Sequence, residues 1–82
     1  MTPDDMTAEV KRMFMRLCDI DATVEDSLTI LALLMGKTLA TYAPDTATAM
    51  AWLEAHNTLA IAGREKLAAV YRRTGHPLAH RF

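Results

Sequence analysis

The side chains best equipped for chemistry in this 82-residue chain are Cys18, His56, His76 and His80. A nucleophilic thiol needs a base to take its proton and a third group to orient that base. Cys18 sits at the edge of an apolar helical stripe with no such motif nearby, and it reads as a structural or half-exposed thiol. His76 and His80 are four apart, the spacing of two metal ligands on one helical turn. They flank Pro77, come after a helix stop and have no cysteine near them, so no metal site is expected. Glu54 and His56, two apart, face different sides of a helix and do not form an acid–base pair. With no convergent polar set and no phosphate-binding or cofactor motif, the chain is expected to be non-enzymatic and to carry no cofactor.

What remains is chemistry of association. Trp52 and His56 recur with Leu59 on one helical face, and Trp is enriched at interface hot spots. That spacing predicts a packed seam, with Trp52 an anchor and His56 a hydrogen-bonded core or interface residue. Ile30, Leu33 and Leu34 fall opposite a complete apolar stripe on the preceding helix, and a helix apolar on two sides is covered on two sides. Met15 and Met50, off the main stripes, suit an adaptable binding surface.

Charge is laid out unevenly, although the net formal charge is −1. Residues 1–26 carry seven acids and three bases, whereas residues 63–82 carry five bases (Arg64, Lys66, Arg72, Arg73 and Arg81) and one acid. The two ends are expected to pair, within a chain or between chains. The basic end could instead meet nucleic acid, but a domain devoted to phosphate binding usually has a clearly positive balance, and the pI is near 6.2. A helix-turn-helix across His56-Asn57-Thr58 would open its second helix on LAIAGREK, too poor in polar residues to read bases.

These residues must be positioned by helices. Alanine (14), leucine (10) and methionine (6) far outnumber valine and isoleucine (6 together), and no stretch alternates with period two. Thr2-Pro3-Asp4-Asp5 is a helix start, with Thr2 as N-cap, and Met6, Val10, Met13, Leu17 and Ile20 form the first apolar stripe. Asp19–Asp26 interrupts it. Thr23 and Asp26 resemble a capping box and open a second helix, with Val24, Leu28, Leu31, Met35, Leu39 and Tyr42 in line. The two stripes are nearly in phase, so a single kinked helix over 3–42 is the alternative. Pro44 ends this segment and Asp45 caps the next. Ala49, Trp52, His56, Leu59, Gly63, Leu67 and Val70 then predict one long helix to about residue 74, or two if His56-Asn57-Thr58 splits it. Gly75 and Pro77 close it, leaving residues 76–82 as a short basic tail.

The expected fold is therefore all-α: a single domain over residues 1–75, a small bundle of three helices near 3–19, 23–42 and 46–74, completed by dimerisation. A 9.1 kDa monomer should bury roughly 8,000 Å² on folding. At about 25 cal/mol/Å² on the apolar part, this contributes on the order of 120 kcal/mol, close to the roughly 1.5 kcal/mol per residue lost on ordering. Burial against another chain would relieve that balance. The longest nearly apolar run, Leu28–Met35, is far short of the roughly 20 residues of a membrane span, and the acidic N-terminus is unlike a signal peptide. A cytoplasmic location and no membrane partner are expected. The function these features suggest is a small protein–protein interaction or regulatory protein that presents helix surfaces as a homodimer and meets a further, unidentified protein. The length and lack of motifs also suit an accessory inhibitor of the kind mobile elements and phages carry. A nucleic-acid-associated protein using the basic C-terminal end is the second reading.

Overall fold

The computed structural model describes residues 1–81, the last of them by its backbone alone. Among the described residues there are three α-helices and no strand: α1 (Pro3–Asp19), α2 (Val24–Tyr42) and α3 (Thr46–Thr74), with a 3-10 turn at Ala79–Arg81 after them. The chain divides into two compact units, the first ending at Thr41 and the second beginning at Tyr42.

In the first unit, α1 opens with a reciprocal cap. Thr2 Oγ1 accepts the Asp5 amide and the Asp5 carboxylate accepts the Thr2 amide, both at 3.1 Å, with Pro3 in the first turn. The helix closes through a left-handed residue, Asp21 at φ 59°. The Ala22 amide reaches back to the Leu17 carbonyl and the Asp21 amide to that of Cys18, each at 3.0 Å, the paired bonds of a Schellman terminus. A second reciprocal cap starts α2: Thr23 Oγ1 accepts the Asp26 amide at 3.0 Å, and Asp26 accepts the Thr23 amide at 3.3 Å. Residues 3–42 are therefore two helices, which removes the single kinked helix. Neither helix contains a buried residue. The second half of α1 and the middle of α2 approach across an open, apolar recess lined by Arg12, Met13, Arg16, Leu17, Ile30 and Leu31.

The second unit consists of α3 and the C-terminal segment beyond it. Asp45 Oδ1 accepts the Thr48 amide at 2.7 Å and caps the helix. The helix runs unbroken through His56-Asn57-Thr58 to Thr74, so it is not split there. It ends at Gly75, left-handed at φ 67°, with the His76 amide on the Tyr71 carbonyl (2.9 Å) and the Gly75 amide on that of Arg72 (3.4 Å). After Gly75 the described part of the segment folds back against α3. His76 stacks on Tyr71 with ring centroids 4.0 Å apart and planes 11° from parallel. Its Nδ1 accepts the Leu78 amide at 3.0 Å, and its carbonyl accepts the Ala79 amide at 2.9 Å. Leu78 and Ala79 of this strap are half-buried, and Ala68 at 0% exposure is the one buried residue among those described.

Five threonines share one habit. Thr7, Thr38, Thr41, Thr58 and Thr74 each donate the hydroxyl to the carbonyl four residues earlier, at 2.8–3.1 Å.

Candidate interaction surface

Helix α2 is apolar around most of its circumference, and α1 covers only one sector of it. At about 100° per residue, Leu31 and Ile30 flank the sector that α1 approaches. Ile30 therefore does not lie wholly on a rear patch with Leu33 and Leu34, as the spacing alone suggests. It lines the recess shared with Met13 and Leu17. Leu33 points away and is 70% exposed, and Leu34, which by angle lies between Ile30 and Leu31 but one turn further along, is exposed as well. Val24 and Leu28, on the main stripe, are also open. On α1, Met6, Val10 and Phe14 continue an uncovered apolar face toward the N-terminus.

Within its own unit α3 does not bury the seam expected of it. Trp52 is 41% exposed and Leu59 66%. His56 is exposed too, its Nδ1 hydrogen-bonded to the Trp52 carbonyl at 2.6 Å, one turn back along the same helix. Ala68 lies more than about 100° around α3 from the line of Trp52, His56 and Leu67, on the side of Tyr71. Its burial has no sequence signal, because an alanine between two stripes adds nothing to the periodicity. The stacked Tyr71–His76 pair does have one: those positions are the two whose side chains meet in a Schellman terminus.

The basic candidates do not gather on one face. By helical position Arg64 and Arg72 lie toward one side of α3, and Lys66 and Arg73 toward the other. Arg64 hydrogen-bonds Glu65 at 2.7 Å. The side chain of Arg81 lies outside the described residues. On α1, Arg12 pairs with Glu9. Two helix-capping carboxylates are held below the usual range: Asp5, by the backbone amide of Thr2 and then its side chain, and Asp45, by the backbone amide of Thr48 and then its side chain.

Cys18 is exposed and unpaired with another cysteine. His80 Nδ1 bonds the Pro77 carbonyl at 2.8 Å, whereas His76 Nδ1 accepts an amide, so the two rings are committed to the backbone in opposite senses. Among the described residues no three His, Cys, Asp or Glu side chains converge as metal ligands, and no helix is long and apolar enough to cross a membrane. The chain matches no known family, and no curated protein or solved structure is detectably similar to it.

Proposed function

We propose that this chain is a small non-enzymatic interaction or regulatory protein that works by presenting helix faces, and that it does so as a homodimer. The observation that carries the reading is in the first unit: two well-capped helices, 17 and 19 residues long, with no buried side chain between them. Helices of this length gain most of their stability in water from packing an apolar face. Exposed apolar patches larger than a few hundred Å² mark association sites on soluble proteins. A second copy supplies the missing cover, and the remaining open faces meet a further protein partner.

Nucleic-acid binding through the C-terminal end gains no support from the placement of the bases. They are distributed around α3 rather than clustered in the stripe of Lys and Arg that phosphate recognition uses.

Sedimentation equilibrium at high micromolar concentration tests the proposal. The wild-type chain is expected at twice its 9.1 kDa mass. Leu33→Asp, which places a charge on an open apolar position of α2, is expected to weaken assembly by about a hundredfold, the scale of an interface hot spot. A wild-type monomer at that concentration overturns the reading.

A further inference from the structure

Helix α2 carries a pattern that is complementary to itself when reversed. Asp26, Ile30, Leu33 and Lys37 recur at spacings of four, three and four and lie within about 60° of one another around the helix. Positions 30 and 33 are symmetric about a point midway between residues 31 and 32, and so are 26 and 37. Two copies laid antiparallel about that point therefore bring Ile30 of one beside Leu33 of the other. The same operation brings Asp26 beside Lys37 at both ends. This is the alternation of layers that antiparallel coiled helices use, with a polar pair fixing the register. A closed two-fold dimer requires one surface to match itself in this way.

We propose that the homodimer forms by antiparallel pairing of α2 with α2 of a second copy, in the register that sets Asp26 against Lys37. The inference rests on the self-association of the proposed function and adds its geometry. Three observations support a second copy as the occupant. Leu33, near the middle of the stripe, is 70% exposed and does not line the recess facing α1. The Lys37 ammonium makes no ion pair within the described residues. On its own helix Lys37 stands eleven residues from Asp26, about 16 Å along the axis, so the two cannot meet within one chain. A parallel pair would instead set Asp26 against Asp26 and Lys37 against Lys37, repulsion at both ends. α1 and its terminal turn border the N-terminal half of this stripe, where Ile30 lines the recess with Met13 and Leu17 and Asp26 lines a second open recess with Ile20 and Asp21, and Leu33 and Lys37 line neither.

The experiment uses the full chain with Cys18→Ser, so that only introduced thiols can cross-link. Asp26→Cys and Lys37→Cys are prepared separately, mixed and mildly oxidised. A disulfide needs Cα atoms within about 7 Å. The mixture is expected to give a heterodimeric disulfide, and each variant alone very little, because like positions lie about 16 Å apart in the antiparallel pair. Homodisulfides from each variant alone, at the same yield as the mixture, establish a parallel pair and overturn the register. Asp26→Cys also removes a cap bond, so Lys37→Glu provides an independent reading, since that side chain has no local ion pair to lose. Turning two symmetric attractions into repulsions should weaken the dimer roughly tenfold at low salt, and Lys37→Arg should leave it unchanged. A dimer indifferent to Lys37→Glu and silent in the mixed cross-link overturns this interface while leaving self-association standing. A monomer overturns both.

Discussion

Helices α1 and α3 close with the same pair of backbone bonds, and what each closure does for its unit differs. At the end of α3 the left-handed position is Gly75, and the side chains the motif brings together are aromatic, Tyr71 and His76 stacked face to face. Beyond it the chain turns back, and the one buried residue of the described chain, Ala68, lies in this unit. At the end of α1 the left-handed position is Asp21, and the corresponding pair is Leu17 and Ala22, both half-buried. There the chain leaves directly into the cap of α2, and no buried residue results. A local motif sets where the chain goes next. Whether that direction produces a core depends on the side chains further along, and the first unit is left with apolar faces to offer.

The largest effect that would sharpen this contrast comes from Gly75→Ala. A β-carbon in the left-handed region costs about 1–2 kcal/mol, and here the cost falls on the strap. Hydrogen exchange at the Leu78 amide should accelerate by roughly tenfold or more, while amides in the middle of α1 and α2 keep their rates. Unchanged protection at Leu78 would mean the strap does not depend on the glycine. The mirror change, Asp21→Gly, relieves strain that a non-glycine residue carries at φ 59°. Aspartate tolerates this region better than most residues, so the gain should be smaller, about 0.5–1 kcal/mol, and visible as a rise in thermal midpoint. A fall instead would show that the Asp21 side chain holds the turn in a way the backbone bonds do not reveal.

The smallest effect is common to both units and concerns pH. Asp5 and Asp45 have folded-state pKa values depressed by amide donors. The unfolded chain therefore binds protons first as pH falls, and the stability these caps provide is present above about pH 4 and lost below it. Replacing either residue with Asn, which still caps but cannot titrate, should flatten the acid limb of helicity measured by circular dichroism. An unaltered acid limb in both variants would assign that loss to other carboxylates.

The helix ends are legible in the sequence because they depend on nearest neighbours. Thr2, Pro3, Thr23, Asp26, Asp45, Gly75 and Pro77 each act within a turn of themselves, and the limits expected at 3–19 and 46–74 coincide with those of α1 and α3. Anything that needs a second surface lies beyond that reach. The period of the Trp52–His56–Leu59 line predicts a packed seam, but a period shows only that residues share a face, and nothing within α3's own unit covers that face. By angle Ile30 groups with Leu33, yet Ile30 also lines the recess with α1 and Leu33 does not. The left-handed conformation of Asp21 has no clear sequence signal, because glycine is the residue that usually marks it.

The threonine hydroxyls bear on what an exposed helix face can become. Thr38 and Thr41, with Lys37, interrupt the apolar C-terminal half of α2, and a buried hydroxyl without a partner costs about 1–3 kcal/mol. Both have already given their hydrogen to the Leu34 and Lys37 carbonyls of their own helix. Each side chain also carries a methyl group. To an arriving surface these positions are therefore nearly as dry as valine, and they withdraw from water without asking the partner for an acceptor. In the isolated chain the same residues keep α2 from being a continuous hydrocarbon cylinder. A helix built this way tolerates both states, as the proposed dimer requires.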